Sequence, residues 1–393
     1  MTEGKRSRRA ASASQPWPEE TLRVIHARRR QRGFTLIELM VSLVISSLLV
    51  TMLLSIFARM SFAFREHQQI INIQQVLSAG RNSIEADARQ AGLALSQGFT
   101  IAGDALRHSP VRVVNSATGP DEVGFYYADP TVQALVVSGP PLPTPIDLMV
   151  DDSTGFAVGD LVVLSTPDTT TVANPLGESD ANIAQFTACV VKIATLTTNE
   201  MTFQTSGEWG TGANAHCSSP VANSTMVFKF IAHYWRVDPA RPELGALQVD
   251  ATGALTATTA FQDQAYGITD LQAATYFFDG DGTDTDDADA DALRDWQSSD
   301  AQTTMTAPRA LGSPFPPPLM MTMSLVARTT ANVEGVTTRQ SPQLVDPVHL
   351  DHNALGDRAS VPLPSATDPR LMGNRIYRYL TFQVDFRNLG VGR

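Results

Sequence analysis

The chain has 393 residues and a formal net charge of −11, and only 18% of its residues are charged. An acidic balance of this size argues against a protein that binds nucleic acid through an extended basic face. The length is sufficient for a sizeable hydrophobic core, organised as one domain or as two lobes.

A basic segment precedes a long apolar run near the N-terminus. Residues 1–33 contain nine basic and three acidic residues, and the twenty residues from Leu39 to Ala58 carry no charge. Twenty helical residues span about 30 Å, the thickness of a bilayer core. The few Ser and Thr in the run are tolerable because their hydroxyls can bond to helix carbonyls. The run therefore predicts a transmembrane helix, with a cytoplasmic N-terminus and everything after Arg59 exported.

One carboxylate, Glu38, lies at the start of this apolar segment and separates three interpretations. A cleaved signal peptide needs an apolar region of only about 7–15 residues followed by a small-residue site, such as 61–63. A plain signal anchor accounts for the basic flank and the apolar run but leaves Glu38 unexplained. A carboxylate there costs a few kcal/mol, so it predicts a partner.

The third interpretation rests on a resemblance. The sequence Gly-Phe-Thr-Leu-Ile-Glu from Gly33 to Glu38, with the apolar run behind it, resembles the processing site of type IV prepilins, and the chain resembles PilW-type minor pilins of the bacterial type IV pilus. The resemblance implies cleavage between Gly33 and Phe34 by the prepilin peptidase and N-methylation of Phe34. It also implies pairing of Glu38 with the amino terminus of a neighbouring subunit. Where major pilins often carry Pro, this chain has Ser55, so no early helix kink is expected.

The helix is predicted to continue beyond the membrane as far as about Gly92. Its apolar residues recur at spacings of three, four or seven, which is the pattern of an amphipathic helix. These residues are Ile70, Ile73, Leu77, Ile84, Ala88, Ala91 and Leu95. Such a stripe must be buried, most naturally against a β-sheet. The segment from Ser83 to Gly92 also resembles the corresponding part of PilW-type proteins.

After the helix the pattern changes to alternation and short apolar runs separated by Gly-, Pro-, Asn- and Asp-rich turns, which predicts an antiparallel sheet. The candidate strands are Val111–Val114, Val123–Tyr127, Ala134–Val137, Leu161–Leu164, Thr187–Ile193, Met201–Gln204, Met226–Val237, Leu271–Phe278, Leu319–Arg328 and Ile376–Phe386. Two segments, Leu271–Asp281 and Tyr377–Asn388, loosely resemble PilW-type proteins.

Both cysteines of the chain, Cys189 and Cys217, lie on the predicted exported side. An even pair in an oxidising compartment most simply forms one disulfide, which would stabilise the fold by about 3 kcal/mol. Two separate buried thiols are the alternative.

An acidic loop follows the Leu271 strand. Four oxygen-bearing side chains fall at positions 1, 3, 5 and 9 of a calcium loop: Asp279, Asp281, Thr283 and Asp287. The remaining pattern departs from an EF-hand, because position 6 is Asp284 and position 12 is Ala290. A solvated acidic loop and an irregular Ca²⁺ site within residues 279–291 both remain open.

No sequence motif for an enzyme is present. Nucleophile-elbow, P-loop, dinucleotide-binding and zinc-protease patterns are all missing from the sequence, and His349 and His352 lie in a polar loop typical of a surface cluster. The sequence therefore predicts a non-enzymatic protein that requires no cofactor.

Together these observations predict an α+β fold, with a long N-terminal helix packed on an antiparallel sheet in a large, loop-rich β ectodomain. The expected divisions are a cleaved leader (1–33), a transmembrane half-helix (34–59), an amphipathic half-helix (60–92) and a β-rich domain (93–393). The resemblance implies a minor pilin in an assembly-priming or tip complex, located first in the inner membrane with a periplasmic C-terminus and then in the pilus.

The implied partners are other minor and major pilins, the prepilin peptidase, the inner-membrane assembly platform and a tip adhesin. Two alternatives remain. A minor pseudopilin of type II secretion would share the same N-terminus. A signal-anchored periplasmic enzyme or binding protein would show no cleavage at Gly33 and no need for Glu38.

Overall fold

The computed structural model describes residues 34–95, 98–104, 106–116, 119–138, 147–167, 186–207, 209, 221–253, 260–277, 296–297, 300–311, 318–329 and 375–386. The chain forms two compact units, one ending at Ser61 and the other beginning at Phe62.

The first element is a continuous helix of 55 residues, α1, from Leu36 to Gln90. It contains no proline, so nothing in it removes a backbone donor or clashes with the preceding turn. It ends where glycine permits a left-handed residue: Gly92 has φ of 81°, and its N–H donates to the carbonyl of Tyr126 at 2.9 Å. The helix is continuous through Ser55.

Sixteen strands and one further helix follow in the described residues. The first eight strands are β1 (Phe99–Ile101), β2 (Leu106–His108), β3 (Val111–Val114), β4 (Glu122–Ser138), β5 (Asp147–Val150), β6 (Leu161–Pro167), β7 (Phe186–Leu196) and β8 (Glu200–Phe203). The remaining elements are β9 (Met226–Val237), β10 (Ala246–Asp250), β11 (Gln262–Tyr266), β12 (Ile268–Phe277), β13 (Trp296–Gln297), α2 (Asp300–Thr306), β14 (Arg309–Ala310), β15 (Pro318–Arg328) and β16 (Tyr377–Asp385).

Within the described part of the chain the strands form two sheets. Twelve strands make the larger one, in the order β11-β10-β9-β4-β5-β8-β7-β1-β2-β14, with β3 beside β4 and β6 beside both β7 and β9. Because β6 joins β7 to β9, the strands β4, β5, β8, β7, β6 and β9 close into a ring. The smaller sheet has the order β13-β12-β15-β16. Among these pairs β1–β7 is parallel and the rest are antiparallel.

The second half of α1 packs on both sheets. Apart from Leu95, which lies in a separate buried cluster, its predicted apolar stripe forms the main core together with residues of β3, β4, β9 and β10 on one side and β12, β15 and β16 on the other. Ile84, Ala88 and Ala91 are fully buried there. The predicted α+β class, a long helix packed on an antiparallel sheet, is thereby confirmed. A second core fills the ring of six strands.

A buried carboxylate joins the two sheets. Asp121, just before β4, accepts a hydrogen bond from the Ala273 N–H of β12 at 2.9 Å and another from the Ser116 N–H at 2.9 Å. Its own N–H donates to the carbonyl of Leu271 at 2.8 Å. These bonds tie the start of β4 in the larger sheet to β12 in the smaller one.

One strand prediction is wrong in its boundaries. Val123–Tyr127 and Ala134–Val137 were expected as two strands, but both lie in the single strand β4. Its pairing with β9 shifts register between Asp129 and Gln133, so the polar Asp-Pro-Thr segment that looks like a turn is an irregularity within the strand.

Candidate processing and assembly segment

The N-terminus of α1 is capped by residues of the prepilin-like segment that runs from Gly33 to Glu38. Thr35 precedes the first helical residue, and its Oγ1 accepts a hydrogen bond from the Glu38 N–H at 3.3 Å. The Thr35 carbonyl accepts the Leu39 N–H at 3.1 Å. Thr followed three residues later by Glu is the capping-box spacing, and a carboxylate in the first turn complements the helix dipole. Phe34 is the first described residue, and Gly33 lies outside the described residues.

The apolar part of α1 is exposed on every side. Large apolar side chains from Phe34 to Met60 are 46–78% exposed. The segment is long and apolar enough to cross a membrane by length and composition. A helix that is apolar all round is stable only in lipid or inside a protein assembly.

Four of the five hydroxyl side chains between Leu39 and Ala58 bond within the helix. Four hydroxyls donate to backbone carbonyls three or four residues earlier, at 2.7–2.9 Å: Ser42, Ser47, Thr51 and Ser55. In a hydrocarbon environment an unpaired hydroxyl would cost free energy, so these bonds make the run compatible with lipid. The expectation that the hydroxyls bond back to the helix is confirmed for these four residues.

The amphipathic half carries a buried polar cluster centred on Asp87. One carboxylate oxygen accepts the Tyr127 hydroxyl at 2.8 Å. The other accepts the Trp235 Nε1–H at 2.8 Å and lies 2.9 Å from the His233 Nδ1. Burial, reinforced by the Asp87 charge, raises the pKa of Tyr127 well above its usual value, so this hydroxyl remains a donor. The cluster connects the helix to β4 and β9.

A second carboxylate, Glu85, bonds to residues of its own helix. It accepts from Arg81 at 2.9 Å and from Arg89, one turn before and one turn after it. The Arg81 guanidinium also lies 5.6 Å from the centre of the Phe382 ring. Glu85 is itself buried. This arginine–carboxylate–arginine row lies beside β16 and uses partners on its own helix, whereas Asp87 uses distant ones.

The structure describes only part of the predicted site residues. Phe34 and Glu38 are described, and Cys189 is buried in the second core, whereas Cys217 lies outside the described residues. The disulfide therefore stays a prediction. Four proposed calcium ligands lie outside the described residues too: Asp279, Asp281, Thr283 and Asp287. Among the residues described, no group of three or more His, Cys, Asp or Glu could hold a metal ion.

Three buried residues of the helix were missed by the sequence reasoning: Gly80, Glu85 and Asp87. Gly80 and Asp87 lie on the same face as Ile73, at intervals of seven, and both are buried. A glycine and an aspartate inside an apolar stripe are unfavourable for a helix core unless close packing or hydrogen bonding requires them. That mismatch was the available signal.

Comparison with known proteins places the motif in the same segment. Residues 28–54 match a family model described as the prokaryotic N-terminal methylation motif. Similar solved structures include a type IV-like pilin from Thermus thermophilus, with 10% identity and a TM-score of 0.36, over 80% of this chain and 97% of that chain. Among curated proteins no sequence matches the chain. The chain thus carries a prepilin-type N-terminal methylation motif at the first turn of an apolar helix, a combination that fits a membrane-anchored, pilin-like protein.

Proposed function

We propose that this chain is the precursor of a minor pilin of the type IV pilus, of the PilW type, which acts in an assembly-priming or tip complex. The observation that carries the proposal is that the methylation motif, the helix cap and the start of the apolar run occur at the same place in the chain. The methylation motif matched over residues 28–54 covers the point where Thr35 caps α1 and where the exposed apolar run begins.

Processing between Gly33 and Phe34 would create a new amino terminus one residue before the helix cap. Glu38 lies in the first turn, close in sequence to that amine. In a medium of low dielectric, opposite charges attract far more strongly than in water. A buried pair of this kind specifies position more than it adds stability. Pairing of Glu38 with the Phe34 amine of a neighbouring subunit would therefore set the subunit register.

The two halves of α1 have different uses in this proposal. The apolar residues up to Met60 are exposed on all sides, so they can exchange lipid contacts for contacts with other pilin helices. The stripe from Ile73 onward is already buried against the sheets. Only the first half is therefore available to the membrane and to the filament core, while the second half holds the ectodomain on the helix.

The priming or tip role follows from the resemblance to PilW-type proteins. The ectodomain is larger than is usual for the related pseudopilins of type II secretion, and this favours the pilus. Other minor and major pilins, the prepilin peptidase and the assembly platform would be its partners, and its location would change from the inner membrane to the pilus.

Intact-mass and N-terminal analysis of the protein from its native membrane tests the processing step. We expect a mature chain that starts at N-methylated Phe34 and that disappears when the prepilin peptidase is absent. An uncut chain, or one that starts after Ala63, would contradict the proposal and favour a signal-anchored periplasmic protein.

A pair of carboxylate variants tests the assembly step. Glu38→Gln should leave cleavage intact but remove the protein from sheared surface filaments and reduce filament number. Glu66→Gln, a matched change at an exposed position of the same helix, should behave as the wild type. If Glu38→Gln instead impairs only protein secretion and leaves the filaments normal, the chain is a pseudopilin.

A further inference from the structure

Two rows of residues with the same spacing run along the packed face of α1 and into the turn after it, and the buried Glu85 and Ala88 lie beside them. The first row is apolar throughout: Ile70, Leu77, Ile84 and Ala91. The second contains Ile73, Gly80 and Asp87. Seven residues make two helical turns less about 20°, so each row runs nearly along the helix axis on the face that packs against the sheets.

The apolar row alone does not select one position of the helix. If α1 moved by seven residues, Ile70 would replace Leu77, and Leu77 would replace Ile84. Hydrophobic burial has no direction and depends mainly on area, so the contacts at the Leu77 and Ile84 positions would be regained. Only at the fully buried Ala91 would a larger side chain, Ile84, have to be accommodated, so this row supplies the buried area but selects the setting of the helix weakly.

Gly80 fits only where it now lies. A Cβ at this position would come within 2.8 Å of the Ile268 Cδ1, 3.3 Å of the Leu247 Cδ2 and 3.4 Å of the Leu325 Cδ1. These side chains come from both sheets and close over the glycine from two sides. A shift of seven residues would bring Ile73 or Asp87 into this narrow space, and neither side chain fits.

Asp87 fits its position because polar groups surround its carboxylate, whereas Gly80 fits because its position leaves no space for a side chain. Donors from Tyr127 and Trp235 converge on its carboxylate, with the His233 ring beside them. The same shift would bring Gly80 or Ala94 here and leave those buried groups without their acceptor. Unpaired buried polar groups are strongly unfavourable.

The chain after the helix restricts its position at one end only. The Gly92 N–H donates to the Tyr126 carbonyl, and the Ala128 N–H donates to the Leu93 carbonyl. Both bonds hold the end of the helix on β4. The two preceding turns are held through side chains. There Gly80 and Asp87 distinguish one setting from another, together with the fully buried Ala88, whose place Arg81 would take after the same shift.

We propose that the row Ile73, Gly80 and Asp87 fixes the register of α1, and we call this row the register key. It holds α1 at one axial and rotational setting on the two sheets, as a polar residue in an apolar seam fixes the register of a coiled coil. On the proposed function, the key keeps the number of helical residues ahead of the sheets equal in every subunit. That consequence rests on the proposed function, whereas the setting itself does not.

Distance measurement between two spin labels tests the key in the detergent-solubilised full-length chain. Cysteines introduced at the exposed positions Gln75 and Gln264 place one label on the helix and one on β11. The labelled chain without added cysteines reports any background from Cys189 and Cys217. The wild type should give one narrow distance.

Variants within the row should change that distance. Asp87→Leu and Gly80→Ala should each broaden the distribution or add a second distance, by up to about 10 Å for a seven-residue shift at 1.5 Å per residue. The control variant is Glu85→Gln. The Glu85 carboxylate pairs with Arg81 and Arg89 of the same helix, so this variant should keep the wild-type distance.

A single wild-type distance in folded Asp87→Leu or folded Gly80→Ala would overturn the proposal. If Asp87→Leu does not fold, Asp87→Asn decides: a broadened distance supports the key, and an unchanged distance shows that Asp87 only stabilises the fold. None of these measurements involves cleavage or filaments, so failure of the key is distinguishable from failure of the proposed pilin role.

Discussion

The two halves of α1 have the same helical backbone, but they differ in whether their apolar side chains are buried. From Leu39 to Ala58 the helix is apolar on all sides and its side chains are exposed. From Ile73 to Ala91 it is apolar on one side, and that side forms the main core. The second half therefore buries its apolar side against the rest of the chain, whereas the first half needs lipid or another protein to cover it.

Truncation of one isoleucine in each half should give the largest contrast. Ile84 is fully buried, and Ile45 is 54% exposed. Ile84→Ala should lower the free energy of unfolding of the ectodomain by about 3 kcal/mol, because it removes apolar contacts and leaves a cavity. Ile45→Ala should change it by less than about 0.5 kcal/mol. Denaturant unfolding in detergent measures both, and equal effects would contradict the division of the helix.

Introduction of a positive charge reverses the contrast. Leu48→Arg should disfavour membrane insertion by about 3 kcal/mol, the cost of arginine near the centre of a spanning helix. Gln75→Arg adds the same charge at an exposed position of the second half and should leave insertion unchanged. Extraction of membranes with alkaline carbonate separates the two outcomes. A soluble Gln75→Arg protein would mean that the second half also enters the membrane.

Acid pH should affect the packed part of the molecule through His108. Burial, aided by the nearby Arg112 and opposed by Asp104, lowers the pKa of this imidazole below its usual value of 6.5. The unfolded chain therefore binds the proton more readily, and the free energy of unfolding should fall as the pH drops through 6.5 toward the folded-state pKa. Replacement His108→Gln should flatten that decline between pH 7 and 5.

The exposed His67 on α1 provides the matched control for this measurement. His67→Gln should retain the wild-type decline, since this side chain lies outside the packed core. An identical decline in His108→Gln and in the wild type would show that other groups determine the acid sensitivity.

The smallest effect is expected from the hydroxyls of the apolar half. Ser47 donates to the Val44 carbonyl at 2.8 Å, so its polar group is already paired inside the helix. Ser47→Ala should change membrane insertion by no more than about 0.5 kcal/mol. A large gain in insertion, measured by glycosylation mapping or carbonate extraction, would mean that the hydroxyl is not paired in the membrane.

Local periodicity made the helix and the longest strands predictable. The stripe of α1 repeats over several turns, and the predicted Met226–Val237 coincides with β9, because both patterns are complete within one segment. Strand β10 was missed. All five of its residues are buried. Leu247, Gln248, Val249 and Asp250 alternate between apolar and polar, which is the pattern of a strand, but the alternation covers only these four residues.

Contacts between distant segments were not predictable. Asp87 finds its donors 40 and 148 residues away in sequence, and Gly80 is enclosed by side chains from three different strands. Nothing near either residue in the sequence encodes those partners. The motif from Gly33 to Glu38, in contrast, is linear, so its chemistry could be predicted without the fold.

The cap at Thr35 has a consequence for proteolysis. Under the proposed processing, the scissile bond between residues 33 and 34 precedes both the capping residue and the first helical residue, Leu36. A peptidase can therefore bind and cleave this bond without unfolding a turn of helix, and the product retains its Thr35–Glu38 hydrogen bond. Cleavage and helix formation are then independent events. The helix of the precursor can therefore be complete in the membrane before cleavage takes place.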